Sequence, residues 1–285
     1  MAVEGARWSD ASLPRNFAPF LAAGTAEALM RIEGAEAPAL AGAEPLSTSY
    51  NDLGSASLYD AGSAWAVALI PEPGDAPRVM MMRKDFGEAV VYLSDDDPRY
   101  DFVMDSMTRI FFSQHAATRR ALMLHASVVE LVGRGYIFMG ESGIGKSTHS
   151  RLWVANFAGC RLLNDDCPLV IAGAEGFIVA GTPWSGKTRC FRNASCPVGG
   201  IARLRQAPAN RFTRLEGIDA FVSFIPGMSV MTSARGLYGE ATSTALELLA
   251  TVPVGILECR PDREAAQTAR AGLVGARPAA TADKR

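Results

Sequence analysis

Residues 140–148 read Gly140-Glu141-Ser142-Gly143-Ile144-Gly145-Lys146-Ser147-Thr148. This fits Gly-x-x-x-x-Gly-Lys-[Ser/Thr], with the apolar run Tyr136–Met139 before it and a helix-like stretch to Phe157 after it, stopped by Gly159. The chemistry implied is phosphate binding. Gly143 and Gly145 let main-chain N–H groups converge on phosphate oxygens, and a helix begun at Lys146 adds its dipole and free donors. Lys146 would reach the β and γ phosphates, and the Ser147 hydroxyl would ligate Mg²⁺. All nine positions from Gly140 to Thr148 are therefore candidates for binding ATP.

Three other groups could act beside that loop. Asn164-Asp165-Asp166 ends a short strand beginning at Arg161. Side chains alternate along a strand, so one acid can face Mg²⁺ while its neighbour faces an acceptor hydroxyl as general base. The same three residues also suit an exposed turn. His125 stands among Met123, Leu124 and Ala126 and reads first as a core histidine. Near Asp165, however, a cationic imidazole would lower that carboxyl's pKa. In Gly181-Thr182-Pro183-Trp184-Ser185-Gly186-Lys187, followed by Arg189 and Arg192, Lys187 heads the bases that could bring positive charge over a γ-phosphate. A surface turn anchored by Trp184 is the alternative. His115 and His149 read as structural.

The elements that must position these groups come from the rest of the 285 residues. Residues 1–97 form an accessory region of mainly β character. It has strands over Ala64–Ile70, Val79–Arg83 and Ala89–Leu93, and an earlier helix over Pro19–Ile32. Asp97-Pro98 opens a helix whose inward face carries Val103, Met107, Ile110, Phe111 and Gln114. Residues 98–285 form the second domain. Its elements are a strand over Leu122–Val132, a hairpin pairing Leu169–Ala172 with Phe177–Ala180, and helices around Thr242–Leu249 and Asp262–Leu273.

Composition excludes several classes. Lys plus Arg total 28 against 30 Asp plus Glu, a balance without the basic footprint of a nucleic-acid coat. No apolar run reaches the ~20 residues that cross a bilayer, and the N-terminus has no secretory pattern. The expectation is a cytoplasmic protein with neither nucleic-acid nor membrane partners. Five cysteines without a Cys-x-x-Cys pair, and only three histidines, argue for reduced thiols over a disulfide scaffold or zinc site.

His125, the loop 140–148 and Asp165-Asp166 together resemble the catalytic domain of HPr kinase/phosphorylase, which shares its nucleotide site with the phosphoenolpyruvate carboxykinases. The resemblance spans roughly residues 122–171. It implies an α/β fold, with a P-loop in a mixed-sheet core of that type. It further implies Asp165 as the base that deprotonates an acceptor serine, His125 as its partner, and Asp166 with Ser147 as Mg²⁺ ligands. Thr148 replaces the family's usual Glu, and the Arg-bearing C-terminal signature is absent. The chain is thus closer to the HPr-kinase-related proteins, which include kinases of precursor peptides. The activity implied is ATP- and Mg²⁺-dependent transfer to a serine of a protein or peptide, in a chain open to homo-oligomer assembly. A small-molecule kinase and a non-catalytic nucleotide-binding regulator are the other readings.

Overall fold

The computed structural model describes residues 1–5, 7, 13–40, 42–51, 54–186 and 188–274. They form a mixed α/β structure in two compact units, one of residues 1–119 with 231–238 and the other of 120–230 with 239–285.

The first unit holds a seven-stranded mixed sheet. Its strands are β1 (Ala2–Glu4), β2 (Leu29–Glu33), β3 (Ser47–Asn51), β4 (Gly54–Asp60), β5 (Ala64–Ile70), β6 (Arg78–Arg83) and β7 (Glu88–Tyr92), in the order β1-β2-β7-β6-β5-β4-β3. From β3 to β7 the strands form an antiparallel meander, and β2 joins β7 and β1 in parallel. Period-2 patterning drives β6: Met80 and Met82 are fully buried while Met81 between them is not. Helix α1 (Tyr100–Ala117) contributes Tyr100, Val103, Met104, Met107 and Phe111 to the same cluster as Met30, Leu69, Met80 and Val91. At its start Arg99 N–H donates to Asp97 Oδ1 (2.7 Å), and Asp97 also pairs with Arg78. The expected helix over Pro19–Ile32 does not form. A 3₁₀ turn at Ala18–Phe20 gives way to β2, because Met30 gains full burial there from strand pairing on both edges.

The second unit holds a nine-stranded mixed sheet. Its elements are β8 (Ala121–Met123), β9 (Ala126–Leu131), β10 (Arg134–Met139), α2 (Lys146–Asn156), β11 (Arg161–Asp166), β12 (Leu169–Gly173), β13 (Gly176–Ala180), β14 (Ser195–Gln206), β15 (Arg211–Leu215), α3 (Gly217–Phe224), α4 (Arg235–Thr251, which starts within residues 231–238), β16 (Val254–Cys259) and α5 (Arg263–Val274). The order β11-β9-β10-β14 forms one wing, with β16 and then β15 continuing beyond β14. The long β14 pairs in parallel with β10 and β16, while its first residues pair antiparallel with β13, which leads to β12 and β8.

Trp153 of α2 is fully buried among Tyr136, Phe138, Ala266, Ala269 and Leu273, so α2 and α5 cover one face of this sheet. Its ring lies 4.9 Å from Tyr136 and 5.3 Å from Phe138, centroid to centroid. The single strand expected over Leu122–Val132 is instead broken at Leu124-His125. There the Leu124 N–H donates to the Pro168 carbonyl (3.0 Å) and the His125 N–H to the Gly227 carbonyl (2.7 Å), both outside the ladder.

Candidate functional site

β10 delivers the chain to Gly140 and α2 carries it away from Lys146, and the bend between them depends on glycine. Gly140 has φ +147°, and a Cβ there would lie 2.9 Å from Ile144 Cγ2 and 3.3 Å from the Leu204 carbonyl oxygen. Gly145 caps α2 at φ 110°, in the left-handed region. One turn bond, Ile144 N–H to the Glu141 carbonyl at 3.2 Å, braces the loop, and the first helical bond runs from His149 N–H to the Gly145 carbonyl at 2.8 Å. The N–H groups of Gly143, Gly145, Lys146, Ser147 and Thr148 have no acceptor among the described residues. They leave a concave set of donors at a helix N-terminus.

Lys146 is 9 % exposed and folds back over this loop. Its Nζ donates to the carbonyls of Gly140 (3.0 Å) and Glu141 (3.1 Å) and to His125 Nε2 (2.9 Å). Burial holds its pKa below the usual lysine value; Asp166 and Asp165 oppose that, and Arg203 adds to it. An ammonium cannot accept, so His125 Nε2 is the acceptor and the ring proton lies on Nδ1, 3.1 Å from Asp166 Oδ1. The His125 side chain reaches this position because the strand break releases it from the sheet core, leaving it 43 % exposed.

The adjacent acids diverge. Asp166, opposite Ala126 in the β9–β11 register, meets His125, and its Oδ2 accepts from Cys167 Sγ (3.1 Å). Asp165 is 3 % exposed and shares the wall of a cavity with Ser147, and its Oδ2 has no hydrogen-bond partner among the described residues. Asn164 binds the end of β11 to the loop after β13. Its side-chain amide donates to the Trp184 carbonyl (3.0 Å), and its Oδ1 accepts the Cys167 N–H (2.9 Å). The Gly186 N–H donates to the Asp165 carbonyl, closing the same loop onto the acid pair.

Of the residues singled out from sequence, the structure brings Lys146 Nζ to His125 Nε2 and His125 Nδ1 to within 3.1 Å of Asp166 Oδ1, and it puts Ser147 and Asp165 on one cavity wall. Lys187 lies outside the described residues. Arg192 is engaged elsewhere, donating to the Leu162 carbonyl (2.7 Å) and pairing with Glu130. Trp184 is buried as an anchor. Two contributors escaped the sequence reading as site residues, Asn164 and Arg203. Arg203 stands opposite Met139 in the parallel β10–β14 register, so its charge falls beside the loop, while Nη1 donates to the Ser223 carbonyl at 3.0 Å. Nothing local in the sequence announces it, since a long-range parallel pairing sets the register. A hydrogen-bonding signal for Asn164 was present in its type, which is rarely buried without partners.

No family model matches the chain, and no curated protein matches it. Among solved structures, 51 % of the chain aligns with 84 % of the HPr(Ser) kinase/phosphatase from Coxiella burnetii, at 14 % identity and a TM-score of 0.31. At that score the likeness carries neither a fold assignment nor an activity to this chain.

Proposed function

We propose that the chain is an ATP- and Mg²⁺-dependent phosphotransferase whose acceptor is a serine hydroxyl of a protein or peptide, with residues 140–148 as its P-loop. The observation that carries this reading is the pairing of an open set of loop amides around a buried Lys146 with a buried Asp165 oxygen that lacks a partner among the described residues. Both features fit the absent group: the amides and ammonium suit phosphate oxygens, and the lone carboxylate oxygen suits a hydroxyl donor. A magnesium nucleotide would supply the transferable phosphoryl group.

The residues divide the work as follows. Residues 140–148 would bind the phosphates through main-chain N–H groups. Lys146, now held by two loop carbonyls and His125, would turn a donor toward phosphate, and Arg203 would add a second positive charge nearby. Ser147 and Asp166 would hold Mg²⁺, which needs few protein ligands when phosphates and water complete its octahedron. Asp165 would accept the hydroxyl proton. His125 would position Asp166 and Lys146 through its two ring nitrogens.

Calorimetry with adenylyl imidodiphosphate and a γ-labelled ATP assay on peptides encoded near the gene test the proposal. Lys146→Ala is expected to weaken nucleotide binding at least tenfold, about 1.4 kcal/mol or more. Asp165→Asn is expected to bind nucleotide normally and lose phosphotransfer by about 10²–10⁴-fold. Full transfer by Asp165→Asn removes the base assignment, and label appearing only on metabolites removes the protein acceptor.

A further inference from the structure

Helix α3 (Gly217–Phe224) and the 3₁₀ turn Ile225–Gly227 that continues it are apolar on two opposite sides. Ala220, Phe224 and Gly227 are buried on one side. On the other stand Ile218, Phe221, Val222 and Ile225, spaced i, i+3, i+4 and i+7, with Pro226 beside them. Ile218 is 69 % exposed and Val222 62 %; Pro226 is exposed too, and Phe221 and Ile225 are half-buried. A helix apolar all round is ordinarily covered all round, and this one buries a single side. Its C-terminal end abuts the candidate site. There the Ser223 carbonyl accepts from Arg203 Nη1 (3.0 Å) and the Gly227 carbonyl from the His125 N–H (2.7 Å). Its N-terminal end is acidic. The Glu216 side chain is 84 % exposed and 3.6 Å from Arg214, and the exposed Asp219 makes no ion pair among the described residues.

We propose that this outer stripe docks the acceptor peptide, binding apolar side chains a few residues from its serine and a Lys or Arg beyond them. The inference rests on the phosphotransferase reading and adds the sequence class of the acceptor. Covering the stripe removes from water an apolar patch that the fold itself leaves open. Area and charge choose the occupant. The stripe follows about 12 Å of helix and offers a few hundred Å², far below the ~800 Å² that each partner of a stable dimer buries. A short, transiently bound segment matches that area, and a second copy of the chain does not. The acidic flank of Glu216 and Asp219 disfavours anionic lipid and nucleic-acid phosphate and favours a basic side chain. From Gly227 back to Ile218 the element spans roughly 14 Å, the reach of about four extended residues. A peptide whose serine lies at the site can therefore lay its neighbouring residues along the stripe.

Fluorescence anisotropy of the full chain tests this with three labelled peptides. The first is Ser-Gly-Leu-Leu-Gly-Leu-Lys-Lys; the others replace its leucines by glutamine or its lysines by glutamate. The first is expected to bind about tenfold more tightly than either control, the difference that partly burying a leucine or two provides. Ile218→Ser with Val222→Ser is expected to weaken it about tenfold. Both positions are exposed, so the unfolding midpoint should stay within about 2 °C and adenylyl imidodiphosphate affinity within about twofold. Asp219→Lys is expected to turn the charge preference toward the glutamate peptide, and it decides the matter if the double variant does not fold. In the transfer assay the double variant should raise KM for the first peptide about tenfold at unchanged kcat. Equal binding of the leucine and glutamine peptides, an unaffected double variant, or an unchanged preference in Asp219→Lys each overturn the docking face. So do a dimer in sedimentation, or binding to phosphatidylcholine vesicles, that the double variant abolishes; these would assign the stripe to a second copy or to a membrane. Nucleotide binding with no response to any peptide overturns the docking face and leaves the loop reading standing. Peptide binding through this stripe by a chain that binds no nucleotide overturns the phosphotransferase reading instead.

Discussion

His149 is 2 % exposed, lies edge-on to Phe138 at 4.6 Å between ring centroids, and accepts the Trp153 Nε1–H at its Nε2 (3.0 Å). Its proton therefore sits on Nδ1, which is buried without a partner among the described residues. Burial pushes its pKa down to about 4 from the ordinary 6.5. Above pH 6.5 both native and unfolded chains hold a neutral ring and the contribution to stability is complete. As the pH falls from 6.5 toward 4, the unfolded chain takes up a proton that the native one refuses, and stability declines by roughly 3 kcal/mol. Below about 4 the effect levels off. Urea unfolding from pH 7 to 4 is expected to show that extra decline in the parent chain and not in His149→Gln, which keeps an acceptor for Trp153. Identical slopes for the two proteins refute the account. The structural reading of His149 agrees with its burial, whereas His125, which reads from its apolar neighbours as a core histidine, is set apart by the remote carbonyl of Gly227, which takes its N–H and breaks the strand.

At the scale of elements, the strand–loop–helix around residues 134–156 was legible because its glycines and lysine act locally. The hairpin of β12 and β13 was legible for the same reason, its ends falling within a residue of the expected ones. β2 and the break between β8 and β9 were not, since distant partners decide both. β14 is a similar case: its Pro197 and paired glycines Gly199-Gly200 depress strand propensity, yet close packing requires small residues there. A Cβ at Gly200 would meet Leu273 Cδ2 at 2.9 Å. The loop yields a sharp test. Gly140→Ala places a methyl against Ile144 and the Leu204 carbonyl at a backbone angle hostile to side chains. The expected cost is about 1–3 kcal/mol by thermal or urea unfolding, accompanied by weaker nucleotide binding. An unchanged midpoint would show that the loop relaxes freely.

Across the whole molecule, His125, residues 140–148, Asp165, Asp166 and Arg203 all belong to the unit of residues 120–230 with 239–285. Each unit also has a core of its own, with Phe111 fully buried in the first and Trp153 in the second. Equivalent cavities in the two cores should therefore have unequal consequences. Truncating either aromatic to alanine is expected to remove about 3–5 kcal/mol from the unit that holds it. Trp153→Ala withdraws the side chain that seats α2 on Tyr136 and Phe138, and it deprives His149 of its donor. Because α2 begins at Lys146, loosening it displaces the ammonium and the first-turn amides, although Trp153 touches neither. Nucleotide affinity should fall about tenfold or more in Trp153→Ala, while Phe111→Ala keeps it under conditions where its second unit stays folded. Hydrogen exchange on both variants identifies which strands lose protection: β9–β11 and β14 for Trp153→Ala, β5–β7 for Phe111→Ala. Loss of nucleotide affinity in Phe111→Ala with β9–β11 still protected would mean that the loop draws its order from outside its own unit.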